Sequence, residues 1–590
     1  MVIKFSDRHG LRKFGPYLCF ILYAIFLIAP QIYDHSLILG ADSLFHMNRF
    51  YETYQQIKTG NFSYFQMLYG FQQTGRVVNA LYGPLFTYLM GLLLLLLGSW
   101  YKFQLVTDLL VFVVAGSSMF YLAKTLKMRT AVATLIAMLY MTATTSIYWG
   151  ISQNFTAIGA AVLPFVLRAG LRMTTDHKRP LTILGLALPV AILLQIHLLS
   201  GLIGVLALVP FLIAGLMTAA NRSKMLQKLG GAILLVVGLT GNIWGAVIDV
   251  MFTNKLISPF PNDLTASVMK FSTNSLAFTD FGLYFSLLFI AQCMLTVFYW
   301  HKLAGTEKVL NLTGALFLIL STGLFPWRIS QLTFPMLRTF LQFPERFAVI
   351  ANILLLAGLG LNINRLLAQQ HQLKRLVLTI GATVVLLLGL NVNQMTSQSA
   401  GWWASKQVVS YAGSVQYMTQ DKHFIRRAFK SRQLDWGLKL IVKASPDYLP
   451  TRTIDGTKFK HYARQDPYGI YSKQVIRNKL KLTRKVIDHH TLQVTWTSAK
   501  QKWVQLPLIK YAHSAVTLNG QRLAGHQMKT SNIGALSVPA KKGTNVLTLK
   551  YVPGLPVIGA AVLTVLTWLG VLLAQLSRSR RRARLKSRHN

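Results

Sequence analysis

Asp42, His46 and Arg49 are the residues of this sequence whose types and spacing best fit a chemical step. In a helix, the spacings i, i+4 and i+7 put all three side chains on one face. A carboxylate there can take the proton of an acceptor hydroxyl, while the two basic groups hold a phosphate whose charge grows as it leaves. The ordinary alternative is a solvated amphipathic helix held by pairs between these side chains. The sequence leaves both interpretations open.

Two further polar residues stand in apolar surroundings. His197 follows an apolar segment, where it is either a site residue or an interfacial side chain solvated at the lipid head groups. Asp108 is the carboxylate deepest within an apolar run. Such a residue suits a polar contact between helices and a proton-coupled transporter equally well.

Long apolar segments must position these residues. The chain has 590 residues, of which 53% are hydrophobic and 13% charged, which is typical of a membrane protein. Roughly thirteen stretches reach the length of about 20 apolar residues that a bilayer-crossing helix needs. The first, 16–30, lacks a small-residue cleavage site, so we expect a retained span with a cytoplasmic N-terminus. Cys19 and Cys293 both lie in apolar spans, which excludes a disulfide framework or a cysteine metal site.

Basic connections predict the orientation of the spans, because Lys and Arg near span ends favour the cytoplasm. They occur at 172–179, 222–228, 301–308, 365–375 and 578–588. Counting back from the tail puts the other connections outside, namely a first loop at 32–78, 196–200, 253–280, 325–346 and 391–553. The candidate chemistry therefore faces the outside.

This count contains one conflict. Two cytoplasmic termini require an even number of crossings, whereas thirteen stretches qualify. The conflict falls in the region 82–129. The basic segment 124–129 looks cytoplasmic, yet it would lie outside if 79–97 and 104–123 each crossed the membrane once.

Residues 391–553 are predicted to form a soluble extracytoplasmic domain that follows a membrane domain at 1–390. Short alternating runs and turns at Asn519-Gly and Lys542-Gly favour a small β-sandwich. A last span, 554–577, and a basic tail, 578–590, follow. The domain has 26 Lys and Arg against 6 Asp and Glu, a net charge of +20. This charge suits a polyanionic partner, although a uniformly basic proteome explains it as well.

Several motifs together resemble one family of bacterial membrane proteins. The stretch Asp42-Ser-Leu-Phe-His46-Met-Asn-Arg49 and the later Tyr82-Gly-Pro-Leu85 are similar to signatures of the YfhO type, which includes proteins labelled 6-pyruvoyl-tetrahydropterin-synthase-related. Gln195-Ile-His197, the segment from Gln342 to Arg346, Asp447-Tyr-Leu-Pro450 and the β-rich insert extend the resemblance over nearly the whole chain.

The resemblance implies a GT-C-like fold, an α-helical polytopic membrane protein of about 12–14 transmembrane helices with a β-rich domain before the last. It implies transfer of a sugar from undecaprenyl phosphate to an envelope glycopolymer by an inverting glycosyltransferase. Asp42 would be catalytic. The substrate-binding residues would be His46, Arg49, Tyr82, His197, Gln342, Glu345 and Arg346. Glu345 departs from the family pattern, and this carboxylate would either neutralise Arg346 or bind the acceptor.

The partners expected on this basis are a polyprenyl-phosphate-sugar donor, an anionic envelope polymer such as teichoic acid, and the lipid bilayer, with no nucleic acid. The location would be the bacterial plasma membrane. No cofactor is required, and a single nearby carboxylate makes a divalent cation the less favoured alternative. Pterin chemistry is not expected, since it needs a zinc-binding histidine cluster. A transporter or flippase, or a non-catalytic scaffold, is the competing hypothesis, although the sequence shows no internal repeat.

Overall fold

The computed structural model describes residues 8–587 except 275, 278, 412, 457 and 458. The basic start before residue 8 and the last three residues of the predicted tail lie outside the described residues. The first part of the chain is helical, with elements at Arg8–Leu27 (α1), Ala29–Tyr33 (α2), Ser43–Thr59 (α3), Pro84–Leu97 (α4), Trp100–Thr125 (α5), Thr130–Met141 (α6), Thr144–Ser152 (α7), Thr156–Thr175 (α8) and Ile183–Ile196 (α9).

The helical part continues to residue 404. Its elements are Leu198–Thr218 (α10), Arg222–Leu239 (α11), Gly241–Thr253 (α12), Gly282–Phe298 (α13), Gly305–Ser321 (α14), Trp327–Thr333 (α15), Leu337–Phe340 (α16), Ala348–Gln369 (α17) and Lys374–Ala404 (α18). The helix α18 therefore includes 391–404, so the domain starts near 405 rather than at 391. The polar residues that open the expected domain lie on the last turns of this helix.

The domain contains short helices and two sheets. Its helices are Lys422–Lys430 (α19), Leu434–Leu440 (α20), Phe459–Gln465 (α21) and Pro467–Tyr471 (α22). The last described helix, Leu555–Ser587 (α23), follows the domain. Its strands are Val415–Tyr417 (β1), Ile441–Lys443 (β2), Thr483–Ile487 (β3), Thr491–Ser498 (β4), Lys502–Ile509 (β5), Ser514–Leu518 (β6), Gln521–Arg522 (β7), Lys529–Thr530 (β8), Ala535–Ala540 (β9) and Gly543–Tyr551 (β10).

The β-rich part is a sandwich of antiparallel strands. One sheet has the order β3-β4-β10-β6-β7 and the other β5-β9-β8. Inward side chains alternate along the strands, and Trp496 and Leu547 of the first sheet share a core with Leu506 and Val538 of the second. The prediction of a β-rich domain before the last membrane helix is confirmed.

The apolar helices are long enough for a multi-pass membrane protein. Among the described residues, six helices can cross a bilayer by length and composition, or up to eight if the bent pairs α6–α7 and α11–α12 each form one span. Shorter apolar helices lie at Phe14–Leu27, Pro84–Leu97, Ile183–Ile196 and Gly282–Phe298. The predicted class of α-helical polytopic membrane protein is confirmed.

The basic connections lie together at one end of the helices. Thr125 and Arg168 are hydrogen-bonded there, as are Thr306 and Thr174, and Arg365 forms an ion pair with Glu307 at 2.7 Å. The residues 405–554 lie at the opposite end, which we call the domain side. The first loop belongs to the domain side, because the amide of Gln66 donates to the Leu549 carbonyl of β10.

The helix α4 does not run between the two ends of the molecule, as 79–97 would if it crossed the membrane once. It packs along α3, and Gly91 lies so close to Thr53 that a side chain has no room. Both of its ends are on the domain side, because the Tyr82 carbonyl accepts from Arg49 and Trp100 Nε1 donates to the Leu434 carbonyl of α20 at 2.8 Å.

The placement of α4 resolves the conflict in the number of crossings. With α4 on the domain side, α5 runs from there to the basic end, which is where the charge of 124–129 places that loop. The helix α14 (Gly305–Ser321) does run between the two ends. Glu307 lies at the basic end, and the Ser321 carbonyl accepts from the Met269 amide at the domain side. With each bent pair counted once, twelve helices or pairs in the described residues run between the two ends, an even number, and up to eight of them are long and apolar enough to cross a bilayer.

This topology predicts the labelling of single cysteines placed in a chain whose Cys19 and Cys293 have been replaced by serine. We expect Lys102→Cys, after α4, to react with a membrane-impermeant maleimide from the same side as Gln420→Cys in the domain. Lys178→Cys should react only from the opposite side. If Lys102→Cys reacts from the same side as Lys178→Cys, α4 crosses the membrane and its placement on the domain side is wrong.

Candidate active site

Arg49 is the centre of the contact between α3 and α4. Its guanidinium is completely buried. Nε donates to Asn79 Oδ1 at 3.1 Å, and Nη2 donates to Thr87 Oγ1 at 2.7 Å and to the Tyr82 carbonyl. In the described residues no carboxylate lies within ion-pair distance of it. Arg49 therefore binds neutral protein acceptors and has little capacity left for the phosphate that the sequence suggested.

Glu52, one turn after Arg49, fixes the first loop. This carboxylate is fully buried. It accepts hydrogen bonds from the backbone amides of Leu68, Tyr69 and Gly70 at 2.7–2.8 Å. Burial raises the pKa of Glu52, and these backbone donors lower it in part. The two buried charges of α3 are therefore each solvated by polar groups of the protein and do not pair with one another.

His46 on α3 and His197, between α9 and α10, contact the same aromatic side chains. His46 stacks on Phe155 at 4.2 Å, and both imidazoles lie within 6 Å of the Tyr82 ring. His46 Nδ1 is 3.0 Å from Arg49 Nη1, and His197 Nδ1 is 2.7 Å from Ser200 Oγ. Burial and then the Arg49 charge hold the pKa of His46 well below its usual value. His46 is thus neutral near pH 7 and supplies no positive charge for a phosphate.

Asp42 lies at the N-cap of α3 and faces the domain. Its backbone amide donates to the Ser152 carbonyl at 3.0 Å, whereas its side chain does not cap the helix. The carboxylate is 40% exposed and lies 3.9 Å from Lys443 Nζ, which also donates to the Ala41 carbonyl. Enclosure by protein raises the pKa of Asp42, and the charges of Lys443 and Arg346 lower it in part. Of the predicted site residues, Asp42 is the carboxylate most accessible to a ligand.

A second carboxylate, Asp447, comes from the loop after β2. The buried Arg76 holds this loop through the carbonyls of Ser445 and Asp447, at 2.7 and 2.6 Å. Asp447 Oδ1 is buried without a hydrogen-bond partner among the described residues. Burial raises the pKa of Asp447 to about 6, with Arg76 and Lys443 acting in the opposite direction. Lys443 therefore stabilises the ionised forms of both Asp42 and Asp447.

The helical turn Pro344–Phe347 brings Glu345 and Arg346 to the same region. The carboxyl group of Glu345 is hydrogen-bonded to Tyr148 of α7. Arg346 Nη1 donates to the Leu341 carbonyl at 2.6 Å and Nη2 lies 3.5 Å from Gln342 Oε1, while Nε has no partner among the described residues. No ion pair joins Glu345 to Arg346 in the part of the chain that the structure describes. Arg346 is therefore not neutralised by its neighbour.

Tyr82 connects the separate parts of the site. Its carbonyl accepts from Arg49, and its ring lies 4.5 Å from the guanidinium carbon of that residue. Burial raises the pKa of Tyr82 to about 12, and the nearby charges that act on it include Arg49, Asp42 and Arg346. The predicted residues 42, 46, 49, 82, 197, 345 and 346 thus converge on one region of the domain side, and Gln342 contacts it through Arg346.

Sequence reasoning missed the residues that the domain contributes. Lys443 gave no local signal, because a lysine in a strongly basic domain is unremarkable. Asp447 belonged to a recognised motif, Asp447-Tyr-Leu-Pro450, but that motif did not indicate contact with a helix 400 residues earlier. Asp108 lies outside the site, on α5 facing Gly150, and its two oxygens are buried without a hydrogen-bond partner among the described residues.

Asp42 and Asp447 are not part of a cluster of described side chains that could hold a metal ion. No group of three His, Cys, Asp or Glu side chains arranged to hold a metal ion occurs in 8–587 outside the five omitted positions. Lys443 is the cation that Asp42 and Asp447 share. Among the described residues of this region, the charged groups with hydrogen-bonding capacity left include the accessible carboxylate of Asp42 and the Nε of Arg346.

Comparison with known proteins gives a weak structural likeness. The Archaeoglobus fulgidus oligosaccharyltransferase tethered with an acceptor peptide has a TM-score of 0.38 at 14% identity, covering 68% of this chain and 57% of that one. The apo form of the same enzyme has a TM-score of 0.40 at 12% identity, covering 78% and 64%. This chain thus spans about three fifths of that enzyme's length. A likeness of this degree identifies neither a family nor a function.

No family model matches the chain, and no curated protein matches it.

Replacing Arg49 by lysine tests its structural role. Lysine keeps the charge but cannot supply the planar set of donors, so at least two buried acceptors lose their partner. We expect Arg49→Lys to lower the free energy of unfolding by about 2–4 kcal/mol, measured by thermal denaturation in detergent. Arg346→Lys is the matched control and should have a smaller effect. A normal melting temperature for Arg49→Lys would contradict this role.

Asp447→Asn should stabilise the protein near pH 7.5. A carboxyl group with a raised pKa destabilises the folded state while it is ionised, and this cost disappears as the pH falls through about 6 towards 4. We expect a gain of about 1 kcal/mol at pH 7.5 that shrinks over this range. The control Asp176→Asn alters an exposed ion pair and should change stability little. A gain that is independent of pH would count against burial as the cause.

Proposed function

We propose that this protein is a GT-C-type membrane glycosyltransferase that moves a sugar from a polyprenyl-phosphate donor to a glycopolymer of the cell envelope. The observation that carries the proposal is the placement of Asp42. Its accessible carboxylate stands at the end of α3, on the domain side, within the electrostatic reach of Lys443 and Arg346. A base and cations at a membrane surface are what transfer from a lipid phosphate requires.

In the proposed reaction, Asp42 takes the proton of an acceptor hydroxyl. The resulting oxygen attacks the anomeric carbon of the donor sugar, and the bond from that carbon to the phosphate oxygen breaks. The electron pair leaves with the polyprenyl phosphate, which needs no general acid. One displacement at the anomeric carbon inverts its configuration.

Arg346 is the residue we assign to the departing phosphate. It has an unpartnered Nε among the described residues and is not paired with Glu345. Lys443 has a different role, since it keeps Asp42 ionised by countering the enclosure that raises the pKa of that carboxyl group. Tyr82, His46 and His197 form the wall between these charges, and Arg49 positions that wall rather than contacting substrate.

The proposed orientation puts the domain side outside the bacterial plasma membrane. The basic loops gather at the opposite end, and a bias of Lys and Arg towards the cytoplasm sets the orientation of membrane proteins. The acceptor would then be an extracytoplasmic polymer. The domain's net charge of +20 suits an anionic one, such as a teichoic acid.

Asp108 is the observation that favours a second candidate, a proton-coupled transporter or flippase. An unpartnered carboxylate within a span is a common feature of proton pathways. The residue lies on α5, and the cluster around Asp42 does not include it. A transporter would depend on Asp108 and not on Asp42, whereas the transferase would show the reverse dependence.

Asp42→Asn should abolish sugar transfer while leaving the fold intact, since the amide has the same shape but cannot accept the proton. We expect a loss of at least about 100-fold, within the range for a missing general base. The measurement compares envelope polymers, by NMR of their glycosyl substituents, from a deletion strain complemented with each variant.

Asp263→Asn serves as the control, because this exposed carboxylate on the domain side contacts Gln331 and not the site. It should restore the same sugar as the wild type. Full transfer by Asp42→Asn would refute the assignment of the base. A deletion strain with an unchanged sugar profile, together with a phenotype that Asp108→Asn reproduces, would favour the transporter.

A further inference from the structure

A cavity of about 370 Å³ adjoins Asp42 on the domain side. Ala41 and Ser152 form part of its wall, and the Ser152 carbonyl accepts from the Asp42 amide at 3.0 Å. Its other walls come from α7, from the end of α18 and from the turn Pro344–Phe347. The volume lies in the lower part of the range for small-molecule sites, about 300–1,000 Å³. A ligand in this cavity would therefore contact Ala41, the residue before the proposed base.

The polar lining consists of groups that hydrogen-bond to hydroxyls. Glu345 and Tyr148, which are hydrogen-bonded to each other, lie on one wall, and Asn154 and Gln398 contribute amides. The Gln398 amide has no protein partner among the described residues. Amides both donate and accept hydrogen bonds, and a carboxylate accepts two or more, so together they can satisfy several hydroxyl groups of one ligand.

Two aromatic side chains complete the lining at its open end. Trp402 is 39% exposed and Tyr411 is 57% exposed, although both are large apolar groups. Both side chains thus leave surface that a ligand can contact. The C–H face of a sugar ring packs against such an aromatic surface, while its hydroxyls reach the polar groups at the edge. Aromatic side chains beside amides and a carboxylate are the combination of groups that a carbohydrate ligand needs.

The charge of the lining separates this cavity from the place assigned to the phosphate. Its described lining includes Glu345 and contains no lysine or arginine. A phosphate or other anion would find no lysine or arginine on the described lining, and the ionised form of Glu345 would repel it. The charge of Arg346 acts on both Glu345 and Asp42, and that of Lys443 acts on Asp42. Donor phosphate and cavity ligand therefore belong to different parts of the site.

We infer that this cavity is the acceptor subsite and that it takes an uncharged sugar unit, one of whose hydroxyls is presented to Asp42. The inference rests on the proposed function. It restricts the class of acceptor to polymers that carry a neutral glycosyl unit. An anionic polymer would have to insert that unit here while its charges remained outside the cavity. Glu345 is then a residue that selects against anions.

The test measures binding of neutral methyl glycosides to the full chain in lipid nanodiscs by saturation-transfer NMR. The probes are the methyl glycosides of glucose, galactose and N-acetylglucosamine, with glycerol 3-phosphate as the anionic probe. We expect at least one glycoside to bind the wild type and Asp42→Asn, and glycerol 3-phosphate not to compete with it. Trp402→Ala and Tyr411→Ala should each weaken binding by about tenfold.

The matched control is Trp300→Ala, which removes a tryptophan at the basic end, where it packs against Lys308. It should bind like the wild type. Both aromatic positions are surface-exposed, so size-exclusion profiles should stay normal. Unchanged binding in Trp402→Ala and Tyr411→Ala, no binding of any glycoside to the wild type, or competition by glycerol 3-phosphate would each overturn the inference.

The two proposals fail separately. If Asp42→Asn loses sugar transfer while the aromatic variants bind normally, the transferase stands and the acceptor subsite lies elsewhere. If Asp42→Asn keeps full transfer while Trp402→Ala loses binding, the cavity is a carbohydrate site but Asp42 is not the base.

Discussion

The buried guanidinium of Arg49 is the constraint on which the site depends. A charge removed from water must be solvated by the protein, and here neutral oxygens of Asn79, Tyr82 and Thr87 do so. These acceptors lie on α4 and on the segment just before it. Satisfying one cation therefore fixes α4 along α3, which puts Tyr82 beside the histidines and leaves α4 on the domain side.

The site itself is built from segments that are far apart in the chain. The helix α3 contributes Asp42, the turn before α17 contributes Arg346, and β2 contributes Lys443. Lys443 reaches Asp42 across 400 residues of sequence because Arg76 of the first loop holds the adjoining segment by its carbonyls. The domain is thus part of the active site that we propose, and more than a platform for binding polymer.

Several polar groups in this region are not optimised for stability. Asp447 Oδ1 and Arg346 Nε are buried without hydrogen-bond partners among the described residues. Other buried charged groups are either satisfied, as Glu52 is by three backbone amides, or unpartnered among the described residues, as both oxygens of Asp108 are. In the function that we propose, the donor phosphate would supply the partner that Arg346 Nε lacks.

The sequence by itself determined the membrane class, the β-rich domain and the orientation signal of the basic loops. It also placed Asp42, His46 and Arg49 on one helix. These features depend on local periodicity and on the cost of burying polar groups in lipid, which can be read from neighbouring residues. The structure decided what the pattern left open, beginning with α4, whose 14 apolar residues suit a short span or a helix packed on α3. It gave Arg49 buried protein acceptors, hydrogen-bonded Glu345 to Tyr148, and placed Lys443 and Asp447 near Asp42. Contacts between such distant segments leave no local pattern, because only packing in three dimensions creates them.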